Sequence, residues 1–388
     1  MRNKKRKICF VITSFIHYSR NVLILKELNK RPDVDLHIVI AGAVLLPKYA
    51  SKYANIKDLL EKDGFKNIYE IHFNLEGSSV ITQAKTAGLG VIEFSTFFHY
   101  LKPVLVVLRG DRYEVLAAAM SAAYLNIPIA HIEGGDVSGT IDESVRHAIT
   151  KLSHIHFATN EPAKERIIKM GEHPEYVFNF GSPEIEIVRE IAQNGNNIDL
   201  SQTGSGSSIN LDDDYLMVMY HPVISELKNL RANTKILLDI IHELNMPVIW
   251  FWPNYDAGSE EISHEIRIFK DEIANHKIKF MRYLPPHNFL AILKDARCFV
   301  GNSSAGIKEC SYLGIPVVNI GKRQNNRLSS ENVVHVGHDK EEIKKAINNQ
   351  IDKKKYPMSD IYYLPGTGKN IAEKLATIDL YIQKSFRD

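Results

Sequence analysis

In this 388-residue chain, carboxylates, guanidinium groups and hydroxyls recur just behind short apolar runs. The run PVLVV leads into Leu108-Arg109-Gly110-Asp111-Arg112-Tyr113-Glu114. A carboxylate and a guanidinium at a strand's carboxyl tip, beside a helix N-terminus, stand where α/β proteins hold substrates and anions. Asp111 would equally serve as a helix cap, with Arg112 solvated. The run IPIA leads into His131-Ile132-Glu133-Gly134-Gly135-Asp136. Glycines there let backbone approach a ligand, and Glu133 is a poor residue for a plain turn. Thr140-Ile141-Asp142-Glu143-Ser144-Val145-Arg146-His147 reads as a capping box, Thr140 at the cap and Glu143 three residues on. Asp142 and Arg146 have the spacing of an ordinary helix ion pair. The same spacing brings Asp142, Arg146 and His147 to one helix end, where a carboxylate could face a cleft.

The carboxy half carries different chemistry. Tyr220-His221-Pro222 closes an apolar run, so His221 stands at a sheet's carboxyl edge. Gly301-Asn302-Ser303-Ser304-Ala305-Gly306-Ile307-Lys308-Glu309 is a small polar turn opening a helix. Its N–H groups and hydroxyls suit phosphate oxygens, and Glu309 suits ribose hydroxyls, although a Ser-rich cap needs no ligand. Asn319 to Arg327 then offers Arg323 and Arg327, whose guanidinium forks match a diphosphate. There is no G-x-G-x-x-G after the first apolar run, no Walker A sequence and no zinc-ligand spacing. Neither a nicotinamide cofactor nor a metal is expected.

The elements that must position these groups alternate. Ile8–Ile12, Leu36–Ile40, Val104–Leu108 and Ile127–Ile132 read as buried strands, with helices near 21–30, 56–64, 79–101, 112–125 and 141–152. A second series has strands Tyr215–Tyr220, Pro247–Trp252, Lys279–Met281, Cys298–Val300 and Val317–Ile320, with helices near 224–244, 257–274, 287–294 and 305–313. Such alternation means βαβ units and parallel sheets covered on both faces. Two α/β domains of Rossmann-like type are therefore expected, 1–182 and 211–366. Between them lies a flexible Gly/Ser/Asn-rich loop, 194–210, and a last unit, 367–388, follows, with an amphipathic helix over 368–386. A ligand would lie in the cleft beyond the strands' carboxyl ends. Residues are 44% apolar and 24% charged, as in soluble globular chains, and a net charge of +2 gives no cause to expect nucleic acid or an anionic membrane. The basic start MRNKKRKICFVITSF reads as a strand with a solvated lead-in, not a signal peptide. No run approaches the ~18 apolar residues of a membrane span. Cys9, Cys298 and Cys310 read as reduced core cysteines of a cytoplasmic protein.

Taken in order, RGDRYE, IPIAHIEGGDVSGTIDESVRHAITKLSHIHFATN, YHP, WPNYDAGS and GNSSAGIKE…GIPVVNIGKRQNNR resemble the hydrolysing UDP-N-acetylglucosamine 2-epimerases, over nearly the whole chain. The resemblance implies a glycosyltransferase-B type fold whose last helix crosses back to the first domain. It implies that Asp111, Glu133 and Asp142 are acid/base carboxylates, with His221 at the sugar diphosphate. Ser303, Ser304, Glu309, Arg323 and Asn254 would hold the nucleotide, helped by Arg112 and Ser19, while Arg146, His147, Gly134 and Gly135 would stand close to the sugar. It further implies a homodimer or a pair of dimers. The first loop departs from the family's GTRADYG-like pattern. Here it reads Thr13-Ser14-Phe15-Ile16-His17-Tyr18-Ser19-Arg20, where Tyr18 and Ser19 align, His17 replaces an acid and Arg20 stands beside the expected arginine's place. The expected reaction is UDP-N-acetylglucosamine to N-acetylmannosamine and UDP. A hydrolysing epimerase for UDP- or GDP-N,N'-diacetylbacillosamine, a non-hydrolysing epimerase, a retaining glycosyltransferase and a catalytically idle nucleotide-sugar sensor are the alternatives.

Overall fold

Valine- and isoleucine-rich runs that are buried on both faces have one stable use, as central strands of a parallel sheet. The computed structural model describes residues 5–47, 55–77, 79–193, 198, 200, 203–273 and 276–387, and among these it holds two seven-stranded sheets. The first runs β3-β2-β1-β4-β5-β6-β7 and is parallel throughout, with β1 Arg6–Ile12, β2 Val34–Ala41, β3 Ile68–Ile71, β4 Leu105–Arg109, β5 Ile129–Ile132, β6 Ile155–Ala158 and β7 Val177–Asn179. Along β1 the side chains divide by parity. Ile8, Phe10 and Ile12 enter one core layer, and Cys9 and Val11 enter the other.

The second sheet runs β14-β13-β12-β9-β10-β11-β8, with β8 Ser205–Gly206, β9 Leu216–Met219, β10 Val248–Phe251, β11 Ile278–Met281, β12 Cys298–Gly301, β13 Val317–Ile320 and β14 Val333–Val336. Only β8 is antiparallel, pairing Gly206 with Lys279. Of the stretch expected to be a flexible loop, 194–197, 199, 201 and 202 lie outside the described residues, while Ser205–Gly206 extends the sheet edge. The unforeseen strands β3, β6, β7 and β14 are short, and three of them, β3, β7 and β14, close sheet edges.

Chain crossings tie the domains together. Helix Pro183–Gln193 follows the first sheet, yet Ile185, Ile187, Val188 and Ile191 enter the second domain's core. Helix Thr367–Thr377 follows the second sheet, yet Ile371, Ala372 and Leu375 enter the first domain's core. The two crossings run side by side: Ser182 N donates to Tyr362 O at 2.8 Å, and Thr367 Oγ1 to Phe180 O at 2.6 Å. The expected last helix, 368–386, is shorter. It stops at Thr377, where Arg6 Nη1 takes the carbonyls of Leu375 and Ile378. Beyond it the chain is extended, and Tyr381, Ile382 and Lys384 bond to residues 151–154 and Glu172 of the first domain.

Candidate active site

Both sheets aim their carboxyl ends at one cleft. The first sheet's order reverses between β1 and β4, the second's between β12 and β9, and such switch points open the crevice that ligands use. At the second, Gly301 has φ +137°, and a Cβ there would lie 2.0 Å from Met219 O. Only glycine lets β12 end so close to β9. Asn302 then clasps His221, accepting from its N–H at 2.7 Å and donating to its carbonyl at 2.8 Å. His221 Nδ1 accepts from Asn254 N at 3.2 Å, which leaves the proton on Nε2. Burial, aided by Arg323, lowers the His221 pKa to about 3, so it is a neutral donor at physiological pH. Ser303 caps the following short helix through Ala305 N, and Arg323 Nη1 holds Asn302 O at 3.1 Å.

The first domain contributes carboxylates. Glu133 directly follows β5 and has φ +71°, a left-handed conformation that a non-glycine residue adopts at a cost of about 1–2 kcal/mol. That geometry turns its side chain toward the second domain. Oε2 accepts from Arg109 Nε at 3.0 Å; Oε1 accepts from Lys308 Nζ and from Arg327 Nη2 at 3.0 Å. Burial alone would raise the Glu133 pKa, but Lys308, Arg109, Arg327 and Arg20 hold it well below the carboxylate range. Asp111 pairs with Arg146, which also donates to Asp136 O at 2.8 Å. Asp136 takes Arg327 at 3.0 Å, Glu184 takes Arg109 and Lys308, and Glu309 takes Arg20 at 2.7 Å. Asp111, Glu133, Asp136, Glu184 and Glu309 thus face Arg146, Lys308, Arg327, Arg109 and Arg20, one charge against one.

Asp142 lies outside that pairing. It accepts from Thr140 Oγ1 at 3.0 Å, and the Arg146 guanidinium goes to Asp111 instead. Burial and the charges of Asp111 and Asp256 raise its pKa to about 6, against some pull from Arg323. The capping box is altered as well: Thr140 accepts from Asp142 N, while Glu143 reaches Ser138 N. His147 sits 3.9 Å from Glu143 on the helix surface. Gly134 and Gly135 serve their own domain rather than an open cavity, since a Cβ on Gly135 would meet Ala163 O at 2.3 Å and one on Gly134 would meet Thr150 and His131.

The remaining expected residues divide. The loop around Ser19 is helix from Phe15 onward, with Ser14 as cap, and Ser19 Oγ donates to Ile16 O within that helix at 3.3 Å. Arg20 crosses to Ser304 and Glu309. Arg112 grips the buried Glu114 through two bonds and lies 3.5 Å from Asp256, which in turn holds the Asn254 amide. Sequence reasoning gave Arg109, Asp136, Glu184 and Lys308 no role. Arg109 had a usable signal, a charge as the last residue of an apolar strand; Lys308 had none, because its partners belong to the other domain.

Two α/β domains whose sheets face one cleft define a fold of the glycosyltransferase-B type. Comparison with known proteins gives the family. A profile described as UDP-N-acetylglucosamine 2-epimerase matches residues 26–376, and the chain belongs to that family. It is 32% identical over 379 residues to the UDP-N,N'-diacetylbacillosamine 2-epimerase (hydrolyzing) of Legionella pneumophila, covering 97% of each chain. It is 33% identical over 332 residues to the GDP/UDP-N,N'-diacetylbacillosamine 2-epimerase (hydrolyzing) of Campylobacter jejuni, covering 85% of this chain and 84% of that one. In fold it is similar to the UDP-GlcNAc 2-epimerase of Methanocaldococcus jannaschii in complex with UDP-GlcNAc and UDP, with a TM-score of 0.75, 19% identity, and 95% and 99% of the two chains covered.

Proposed function

We propose that the chain is a hydrolysing 2-epimerase that takes a UDP-linked N-acetylated hexose to UDP and the free 2-epimeric sugar. The observation that carries this reading is that carboxylates of the first domain meet the second domain's polar turns across one cleft: Glu133 takes Arg327 and Lys308, Arg20 reaches Ser304, and Asp142 feels the charge of Arg323. The hydrolysing mode is favoured by the names of two relatives at 32% and 33% identity. Those names also favour the diacetylated sugar. UDP-N-acetylglucosamine, the first expectation from the motifs, is the second reading and is favoured by the ligands of the M. jannaschii structure.

The C2 hydrogen of such a sugar is barely acidic. Cleavage of the C1–O bond sends the electron pair out with UDP, and the oxocarbenium-like charge left at C1 acidifies C2–H. A carboxylate takes that proton and a glycal forms. Water then adds at C1 while an acid protonates C2 from the opposite face, which inverts that centre. The balance is UDP-sugar plus water giving UDP plus epimer. Asp142, with its pKa near 6, suits a proton shuttle at neutral pH; Glu133, kept ionised, suits orientation and stabilisation of positive charge at C1. Neutral His221, Arg323 and the Ser303–Ser304 turn would receive the leaving diphosphate.

Incubation with each UDP-sugar in D2O tests this. Free UDP and a C2-deuterated 2-epimer are expected. UDP release only with an added acceptor would make the chain a glycosyltransferase, and an epimer still bearing UDP would make it non-hydrolysing.

A further inference from the structure

Glu133 divides its carboxylate between the domains. Oε2 belongs to Arg109 of its own domain, whereas Oε1 belongs to Lys308 and Arg327 of the second. Lys308 sits at a break between the short helices Ser304–Ile307 and Glu309–Leu313, with φ −96° and ψ −67°, which turns its side chain across the cleft. Its side chain is fully buried. Its other contacts are Glu184 Oε1 at 3.3 Å, Asp136 Oδ2 at 3.7 Å, Ser182 Oγ at 3.5 Å and the Tyr362 ring at 5.3 Å.

A buried ammonium is stable only beside counter-charges. Those that face Lys308 come from the first domain, Glu133 and Asp136, and from the crossing helix, Glu184, which shares the second domain's core. Parting the domains would leave Lys308 with Glu184 alone and free Oε1 of Glu133. Docking restores the grip and fixes the carboxylate's orientation at both oxygens. We propose that Lys308 is a positioning residue that makes the placement of Glu133 conditional on domain closure, so that the carboxylate is set for chemistry only when the cleft is shut. The inference rests on the reading of Glu133 as a carboxylate of the 2-epimerase reaction.

The test is a double-mutant cycle on the full-length chain, with Lys308→Met, Glu133→Gln and both together, and Lys308→Arg as the conservative variant. Lys308→Met should lower kcat about 100-fold, the size of effect that a displaced catalytic group has. KM and the calorimetric Kd for UDP should stay within about threefold, because nucleotide contacts lie elsewhere. Lys308→Arg should recover most of kcat, and the double variant should turn over no more slowly than Glu133→Gln. Wild-type kcat in Lys308→Met, failure of a folded Lys308→Arg to recover, or losses that multiply in the double variant would each overturn the proposal. If Lys308→Met alone does not fold, the double variant, which removes both buried charges, reads the same coupling against Glu133→Gln. Full turnover in Glu133→Gln would instead bring down the underlying reading of Glu133, and this inference with it.

Discussion

At the scale of single residues, Asp142 shows how placement sets chemistry. Its ionised form is opposed by burial and by Asp111 and Asp256, and its pKa stands near 6. Folding therefore raises this pKa above the ~3.9 of a free aspartate. The folded chain binds the proton more tightly, so Asp142 costs stability above pH 6 and nothing below about pH 4. Asp142→Asn should raise Tm at pH 8, by about 1 kcal/mol of stability after screening and the lost helix-terminal charge are allowed for, with the gain vanishing near pH 4. The same variant should cut turnover at least ~100-fold and remove an inflection near pH 6 from the rate profile. Thermal melts at two pH values and a pH–rate series read both. A lower Tm at pH 8 would mean that Asp142 is held by an attraction rather than opposed by its neighbours.

At the scale of elements, the domains meet through turns as well as charges. Gly139 N donates to Arg323 O at 3.2 Å, and a Cβ on Gly139 would lie 1.8 Å from Lys322 O. On the other lip, Tyr255 of the second domain packs on Ala43 and Leu46 and accepts from Gly77 N at 2.9 Å. Gly139→Val should hold the cleft ajar. We expect kcat to fall about 100-fold with Tm within about 2 °C of the parent, since each domain keeps its own core. Small-angle scattering with UDP should show a larger radius of gyration than the parent has. Unchanged turnover would mean that this turn yields without parting the domains.

At the scale of the whole molecule, helix Val80–Leu101 buries Phe94 and Phe98 and turns Ile81, Leu89, Ile92 and Tyr100 outward, beside Met120 and Tyr124 of helix Tyr113–Tyr124. An apolar stripe of this length marks an association surface. Lys85 and Glu93 lie four residues either side of Leu89, so two copies packed antiparallel about Leu89 would set each lysine against the partner copy's glutamate. Of the homodimer or pair of dimers that the family resemblance implies, the two-chain contact is expected to form here. Light scattering should give the mass of two chains, and Ile92→Glu should give that of one. A dimer that survives Ile92→Glu would place the interface elsewhere. Among the described residues no helix is long and apolar enough to cross a membrane.

Much was legible in the sequence because it is local. Apolar runs of strand length set the parallel sheets, and strand ends located Asp111, Glu133, His221 and the Ser303–Ser304 turn, since a strand's carboxyl tip is a position along the chain. Tertiary structure alone decided what those groups are paired with. Asp142 and Arg146 have the spacing of a helix pair, yet Arg146 serves Asp111, 35 residues away, and leaves Asp142 to titrate. Lys308 has no marker in its own stretch of chain, because its partner Glu133, 175 residues distant, arrives from the other domain. The last helix ends nine residues before its amphipathic pattern does, at the point where a side chain from the first strand, Arg6, takes its final carbonyls. Backbone pattern follows from neighbours in sequence; a charge's partner, and so its pKa and role, follows from neighbours in space.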